Sequence, residues 1–233
     1  MTTQNNQEQN SGYMAQRRRI LSKQTNFAIQ EAYKRLRTNL SFSIRGRKCK
    51  RVCLTSASAG EGKSITLLNL AISIAQTNKR VLLIDADMRR PAVARLLVEQ
   101  ASPGLSEVLA EHISEKEAIR KEVYPNLDIL FSGEIPPNPS ELLGSERMEK
   151  LIADMEKEYD YILVDTPPVG VVADASLVAT LLDGVLLLVW QNRSKKDAVK
   201  QAVENLKLTN ANILGFVMNG VEVETKKYYS TYY

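Results

Sequence analysis

The chain has 233 residues, of which 44% are hydrophobic, and it carries a formal net charge of +4. Such a chain can bury a sizeable core as one large domain or two small ones, and none of its apolar runs reaches the roughly 18 residues that a membrane-spanning helix needs. Because the polar residues 1–10 also lack the apolar stretch of a secretory signal peptide, we expect a cytoplasmic protein.

The amino-terminal part of the chain divides into a polar tail and a helix. Residues 1–25 are rich in Gln, Asn, Ser and Arg and show no periodicity, so we expect them to be disordered. From Phe27 to Ile44 the apolar residues recur at helical spacing, which predicts a helix. We place this helix at the start of a single domain, residues 26–221, and we expect a flexible tyrosine-rich tail at residues 222–233.

Basic residues cluster at two places near this helix, at Arg17–Arg19 and in the segment 45–51. A solvated surface is the simpler interpretation. Attraction to the anionic face of a membrane is the alternative, because clustered basic residues gain about 1 kcal/mol each there. Nucleic acid is not expected as a partner, since no stacking aromatic residues are interleaved with these charges.

Short apolar runs alternate with helix-compatible segments along the rest of the chain. Near-continuous Val, Ile and Leu strands separated by helices are typical of a parallel sheet that helices cover on both faces. The strands are predicted at Val52–Leu54, Val81–Ile84, Leu127–Phe131, Tyr161–Val164, Val185–Val189 and Ile213–Val217, and the main helices at residues 63–77, 140–157 and 194–208. Cys53 lies inside the first strand, which favours a buried thiol over a disulfide or a metal ligand.

A glycine-rich segment, Ala57–Ser64, follows the first strand and opens a helix. In this context such a loop binds phosphate, because its backbone N–H groups and the helix N-terminus attract anions. Lys63 would place its charge on the β- and γ-phosphates of ATP, and the Ser64 hydroxyl would bind Mg2+. The loop predicts a P-loop NTPase-like α/β fold, although Ala57 replaces the first glycine of the general pattern. We expect nucleotide contacts from Ala59, Gly60, Glu61, Gly62, Lys63, Ser64 and Ile65.

Two of the apolar strands end in acidic residues. Asp85 and Asp87 end the strand that begins at Val81, and Asp165 ends the strand that begins at Tyr161. Ligands bind at the carboxyl ends of the strands in open α/β sheets, and three carboxylates beside a phosphate loop would be unfavourable without a divalent cation. We therefore expect Asp165 to bind Mg2+. The alternative is that these acids cap the helices that follow them.

Four of the nine tyrosines lie in the last six residues, at Tyr228, Tyr229, Tyr232 and Tyr233. An ATP site alone leaves the reaction undetermined, because many motors, switches and transferases share it. A tyrosine-rich tail in the same chain indicates where the phosphoryl group goes.

Together these motifs resemble those of the bacterial protein-tyrosine kinases associated with capsular and exopolysaccharide synthesis. The resemblance covers roughly residues 28–233. The segments that carry it are Glu31–Arg37, 57–64, Leu83–Pro91, Gly133–Leu143, Asp165–Pro168 and the tyrosine tail.

The resemblance implies a kinase that uses ATP and Mg2+ to phosphorylate protein tyrosines, including its own tail, which we expect to be modified in trans. It makes Lys63, Asp85 and Asp87 the catalytic residues, and it assigns the metal to Ser64, Asp85 and Asp165. Either Asp87 or Asp85 would orient or deprotonate the acceptor hydroxyl. Phosphoryl transfer depends mainly on positioning and charge neutralisation, which a cation and carboxylates can supply.

The resemblance also implies assembly and a membrane partner. In relatives a Glu and two Arg at three-residue intervals help to build a ring of subunits, and the corresponding positions here are Glu31, Lys34 and Arg37. Lysine cannot replace the bidentate fork of arginine, and a solvent-facing charged helix is the alternative. Members of the family typically work with a separately encoded membrane-spanning activator, which would hold this protein at the inner face of the cell membrane.

The competing interpretation is an ATPase of the cell-division or partition class, which acts as a dimeric switch. Such proteins usually carry a second lysine early in the phosphate loop, where this chain has Ser58. They also lack a terminal tyrosine cluster, so the kinase interpretation is favoured.

Overall fold

A seven-stranded sheet forms the centre of the computed structural model, which describes residues 19–221. The order across the sheet is β3-β4-β2-β5-β1-β6-β7, and every neighbouring pair is parallel except β3 with β4. The strands are β1 (Lys50–Ser56), β2 (Val81–Asp85), β3 (Arg120–Tyr124), β4 (Leu127–Leu130), β5 (Tyr161–Asp165), β6 (Gly184–Trp190) and β7 (Ile213–Asn219). The predicted α/β fold of the P-loop NTPase type is confirmed.

The helices connect the strands and lie on both faces of the sheet. They are α1 (Phe27–Ser43), α2 (Lys63–Ala75), α3 (Val93–Leu97), α4 (Leu105–Leu109), α5 (Glu115–Ala118), α6 (Pro139–Leu143), α7 (Glu146–Met155), α8 (Asp174–Ala179) and α9 (Lys196–Leu208). Helix α1 begins where the Asn26 side chain accepts a hydrogen bond from the Ala28 N–H at 2.9 Å, as an N-cap residue does. None of the helices within residues 19–221 is long and apolar enough to cross a bilayer.

The core consists of two apolar layers, one on each face of the sheet. On one face Leu40 of α1, Leu67 of α2 and Leu96 of α3 are buried together. On the other face Met148 of α7 and Leu206 of α9 belong to a second buried cluster. Because β2 and β5 are covered on both sides, they are apolar up to their terminal acidic residues, and β1 is buried from Val52 to Ser56. This packing fixes the carboxyl ends of the three strands side by side.

The structure differs from the sequence-based element predictions in two places. Strand β3 was not predicted, because it is an antiparallel edge strand whose sequence, Arg-Lys-Glu-Val-Tyr, is largely polar and partly exposed. The predicted helix at residues 140–157 is two helices, α6 and α7. Gly144 ends the first, and Ser145 caps the second by accepting a hydrogen bond from the Met148 N–H.

The packed part of the chain begins before the predicted domain boundary at residue 26. Ile20 and Leu21 are buried in the core. The Leu21 N–H donates to Asn69 Oδ1 at 2.8 Å, and Asn69 Nδ2 donates to the Arg19 carbonyl at 2.9 Å. Residues 19–25 therefore belong to the folded unit and not to the predicted disordered tail. The remainder of that tail and the tyrosine-rich segment 222–233 lie outside the described residues.

Candidate active site

The phosphate loop joins the end of β1 to the start of α2, as the motif predicts. Gly60 and Gly62 have φ angles of 75° and 88°, a left-handed conformation that glycine adopts without strain. A Cβ atom on Gly62 would lie 2.5 Å from Asn219 Nδ2, so both the backbone angle and the space require glycine there. The loop thereby brings its backbone N–H groups to the N-terminus of α2, where an anion is stabilised.

A cavity of about 640 Å3 opens beside this loop. Its lining contains five cationic side chains and a single acidic one, Asp87, which favours a polyphosphate ligand. The cations are Arg19, Lys63, Arg89, Arg90 and Arg95. Six of the seven predicted nucleotide-binding residues line the cavity, namely Ala59, Gly60, Gly62, Lys63, Ser64 and Ile65.

The seventh predicted residue, Glu61, does not line the cavity; its side chain is 2% exposed and serves the loop itself. Its carboxylate accepts hydrogen bonds from the Ser194 hydroxyl and, at 3.3 Å, from the Ser58 N–H. Asn219 Nδ2 donates to the Glu61 carbonyl at 2.9 Å. Glu61 therefore ties the phosphate loop to the loop after β6 and to the end of β7.

The two strand-end acids, Asp85 and Asp165, are fully buried but differ in their hydrogen bonds. Asp85 accepts three backbone N–H groups, from Asp87 at 3.2 Å, Ala92 at 3.3 Å and Val93 at 3.1 Å. Neither carboxylate oxygen of Asp165 has a hydrogen-bond partner within residues 19–221. Asp85 thus shapes the segment after β2, whereas Asp165 accepts no backbone N–H group there and lies close to the Ser64 hydroxyl.

Burial changes the protonation of both acids. Loss of hydration raises the pKa of Asp165 to about 7, although the nearby Lys63 charge and the Ser64 hydroxyl lower it. Burial raises the pKa of Asp85 well above its usual value, and repulsion from Asp165 raises it further. A buried carboxylate without partners is unfavourable unless a cation pairs with it. The donor set around Asp165 therefore fits a cation.

The described residues do not form a complete metal site from protein ligands. Within residues 19–221 no group of three or more His, Cys, Asp or Glu side chains is arranged to hold a metal. Mg2+ commonly takes one or two carboxylates and completes its coordination with water and substrate phosphates. Asp165 and the adjacent Ser64 hydroxyl fit that pattern when a nucleotide supplies the remaining oxygens.

Asp87 is the acid that reaches the cavity. Its side chain is largely buried, and its Oδ1 accepts the Arg90 N–H at 3.0 Å. Its Oδ2 makes no hydrogen bond to any residue that the structure describes. Asp87 is therefore held in place by one oxygen while the other is free to accept a proton or a hydrogen bond.

Sequence reasoning missed two parts of this site. Asp174 is fully buried and pairs with the cavity residue Arg89, but no local motif marks it. Trp190 lines the cavity, with the Arg193 guanidinium 5.0 Å from its ring centroid, and no local motif marks it either. Both residues reach the site through the tertiary fold.

The predicted subunit-contact residues lie on α1, away from the cavity lining. Glu31 and Lys34 form an exposed ion pair with a distance of 2.7 Å between Lys34 Nζ and Glu31 Oε1. Arg37 Nη1 donates to the Ser73 carbonyl of α2 at 2.6 Å. Arg37 therefore fastens α1 to α2, whereas the other two side chains lie on the surface.

The four tail tyrosines lie outside the described residues, but the structure shows where the chain leaves the domain. Strand β7 ends at Asn219, the residue that hydrogen-bonds the phosphate loop through Glu61. The tyrosine-rich segment starts three residues later, at residue 222. Its attachment point is therefore beside the phosphate loop.

Comparison with known proteins identifies kinases of the same size and fold. A family model described as an AAA domain matches residues 49–216. The tyrosine-protein kinase YwqD of Bacillus subtilis is 38% identical over 96% of this chain and 94% of its own length. The kinase domain of the Escherichia coli tyrosine kinase ETK superposes with a TM-score of 0.80 at 32% identity, covering 84% of this chain and 77% of that one.

The fold extends to a second class of proteins. The septum site-determining protein MinD of Pyrococcus horikoshii, solved with Mg-ADP, superposes with a TM-score of 0.62 at 22% identity, over 73% of this chain and 70% of that one. At that identity the likeness concerns the fold alone. The cell-division ATPases thus share the architecture, whereas the relatives with higher identity are tyrosine kinases.

Proposed function

The chain belongs to the bacterial tyrosine-protein kinases, and we propose that its cavity binds ATP with Mg2+ and passes the γ-phosphoryl group to the tail tyrosines of a neighbouring subunit. The observation that supports this most strongly is Asp165. This fully buried carboxylate, which has no hydrogen-bond partner within residues 19–221, lies close to Lys63 and Ser64, two phosphate-loop residues that line the cationic cavity. That combination suits a nucleotide bound together with a divalent cation.

We assign the nucleotide and metal roles to the residues at the loop. Lys63, which is only 7% exposed, neutralises the β- and γ-phosphates, and the glycines let the backbone approach them. Asp165 and Ser64 hold Mg2+, which when bound neutralises phosphate charge. Asp85 supports the metal site indirectly, since its oxygens already accept backbone N–H groups.

The acceptor role goes to Asp87 in preference to Asp85. Asp87 lines the cavity and has one carboxylate oxygen free, whereas Asp85 is fully buried and accepts three hydrogen bonds. A tyrosine hydroxyl has a pKa near 10 in water, so a carboxylate helps as the proton leaves in the transition state. Asp87 would therefore orient the acceptor hydroxyl and accept its proton.

The proposed acceptors are Tyr228, Tyr229, Tyr232 and Tyr233, modified in trans. Twelve residues separate Val221 from Tyr233, which is enough for an extended segment to span roughly 40 Å. The segment can therefore reach a neighbouring subunit. We propose that the charged residues Glu31, Lys34 and Arg37 of α1 form the contact between subunits.

We further propose that the kinase acts with a separately encoded membrane-spanning activator at the inner face of the cell membrane. In this arrangement it would phosphorylate other protein tyrosines and regulate the synthesis of capsular or extracellular polysaccharide. The motifs of Leu83–Pro91 and Gly133–Leu143, which carry the family resemblance, support this assignment.

Phosphopeptide mapping after incubation with labelled ATP and Mg2+ tests the proposal, with and without the cytoplasmic segment of a candidate activator. We expect label on the tail tyrosines, with more label when the activator segment is present. Release of free phosphate without protein labelling would instead indicate a switch ATPase. Label on tyrosines outside the tail would retain the kinase and reject the proposed acceptors.

A further inference from the structure

Three segments that are distant in sequence meet at the wall of the cavity. Arg89 follows β2, Ser140 lies at the start of α6 in the Pro-Pro-Asn-Pro-Ser segment, and Asp174 lies in the first turn of α8. Arg89 Nε donates to Asp174 Oδ2 at 2.7 Å, and Arg89 Nη2 donates to the Ser140 hydroxyl at 2.8 Å and to Asp174 Oδ1 at 3.2 Å. The Ser140 hydroxyl in turn donates to Asp174 Oδ1 at 2.6 Å. We call these three residues the arginine clamp.

One end of the arginine clamp is buried in the protein, and the other end is exposed to the cavity. The Asp174 carboxylate is fully buried, and Arg89 is its only ion-pair partner among residues 19–221. The Arg89 side chain is 39% exposed and lines the cavity that holds Lys63 and Asp87. Two of its three guanidinium nitrogens are occupied by the clamp, whereas Nη1 makes no hydrogen bond in the described part of the chain.

We propose that Asp174 and Ser140 are positioning residues for phosphoryl transfer. They hold the Arg89 guanidinium in one orientation. Its Nη1 is then available to donate a hydrogen bond to an oxygen of the phosphoryl group or to the oxygen of the acceptor tyrosine. A fixed guanidinium stabilises developing charge without reorganising during the reaction, whereas a free arginine would lose side-chain entropy on each turnover. This inference rests on the proposed use of the cavity for ATP and acceptor.

The clamp also gives a role to the Pro-Pro-Asn-Pro-Ser segment. Pro139 occupies the first turn of α6, where its fixed φ suits a helix start. The next residue, Ser140, reaches both Asp174 and Arg89. Pro139 would thus help to position the Ser140 hydroxyl, which orients the Arg89 guanidinium.

The test is a double-mutant cycle on the purified full chain with Mg-ATP and a tyrosine peptide. We expect Asp174→Asn to lower kcat about tenfold to a hundredfold, because misplacing a group by about 1 Å has effects of that size. Nucleotide affinity, measured separately by a fluorescent ATP analogue, should change less than threefold. In an Arg89→Ala background, the same Asp174→Asn change should lower kcat less than twofold further, since Asp174 acts through Arg89.

Further variants test the role of the arginine clamp even if the Asp174→Asn protein does not fold. Ser140→Ala leaves the Asp174–Arg89 pair intact and should lower kcat by a smaller factor, which Ser140→Thr should restore. Asp183→Asn is the matched control, because the Asp183 side chain is only 5% exposed and also pairs with arginines, Arg51 and Arg47, but at the amino-terminal edge of the sheet. It should lower the unfolding temperature without lowering kcat.

The possible outcomes separate this inference from the proposed function. Wild type that fails to label any tyrosine would reject the function itself. Active wild type with unchanged kcat in folded Asp174→Asn and Ser140→Ala would reject the clamp. Multiplicative losses for Arg89→Ala and Asp174→Asn would also reject it, because Asp174 would then act independently of Arg89.

Discussion

Asp85 and Asp165 occupy paired positions on the neighbouring strands β2 and β5, and both side chains are fully buried. The pairing places two carboxylates at the carboxyl edge of the sheet, directly beside the phosphate loop. Asp85 is satisfied by backbone N–H groups, whereas Asp165 has no hydrogen-bond partner among the residues that the structure describes. A buried carboxylate without compensating hydrogen bonds in the described part of the chain is an electrostatic stress beside the phosphate loop.

The first prediction concerns that stress. The pKa of Asp165 rises from 3.8 to about 7 in the folded protein, so the folded state holds a proton that the unfolded state releases between these values. Stability in EDTA should therefore fall as the pH increases from about 4 to 7, by about 1–4 kcal/mol. Asp165→Asn should reduce this dependence in chemical denaturation, leaving the part that comes from the raised pKa of Asp85, while weakening Mg2+-dependent nucleotide binding. An unchanged pH profile in the variant would contradict the assignment.

The second prediction concerns Lys63. Lys63→Met keeps most of the side-chain volume but removes the charge that we place on the phosphates. Tyrosine phosphorylation should fall about 100-fold or more, the range seen when a preorganised charge or donor is lost, with an unchanged circular dichroism spectrum. The control is Lys200→Met, an exposed lysine on α9, which should retain full activity. Substantial autophosphorylation by purified Lys63→Met would reject the role.

The third prediction separates the roles of the acids. Asp87→Asn should lower kcat about 10- to 100-fold as a proton acceptor is lost, with little change in ATP affinity. Asp85→Asn should chiefly weaken ATP binding, because the segment that its carboxylate organises carries cavity residues. Steady-state kinetics combined with equilibrium nucleotide binding checks both effects. Loss of ATP binding in Asp87→Asn, with normal acceptor affinity, would reverse the assignment.

The fourth prediction concerns transfer between subunits. Lys63→Met protein with an intact tail should become phosphorylated when it is mixed with active protein whose four tail tyrosines are replaced by Phe. Mass spectrometry of the tail of the inactive protein measures this directly. If Tyr228, Tyr229, Tyr232 and Tyr233 stay unmodified in the mixture while wild type labels them, the tail is modified within its own chain.

The fifth prediction concerns assembly through α1. Glu31→Ala removes an exposed ion pair and should shift the unphosphorylated protein toward monomer in sedimentation velocity. Lys34→Arg should shift it toward larger assemblies, because arginine can bind a carboxylate with two hydrogen bonds. Arg37→Ala is less diagnostic, since Arg37 also fastens α1 to α2. Identical sedimentation of Glu31→Ala, Lys34→Arg and wild type would favour a solvated helix.

The parts of the site that were predicted from the sequence are those that local patterns specify. The phosphate loop, Lys63 and the strand-end acids were located because a buried strand, a glycine-rich turn and a helix start each leave a local signature. Edge strand β3 left none, because its exposed residues are polar. The role of the Glu61 side chain was missed for a related reason, since the motif does not show that it accepts a hydrogen bond from Ser194, which is 133 residues away.

The sequence by itself determined most of the buried strands, the phosphate loop and the acidic residues that end β2 and β5, because helix and strand periodicity and turn chemistry are short-range properties. Only the tertiary structure decided which strand ends and helix ends lie next to one another. Between residues 19 and 221 it gave Asp85 three backbone N–H donors and gave Asp165 no hydrogen-bond partner. It also joined Arg89 to Ser140 and Asp174 across separations of 51 and 85 residues. Such contacts follow from the packing of helices on a shared sheet, where strand order and not distance along the chain sets the neighbours.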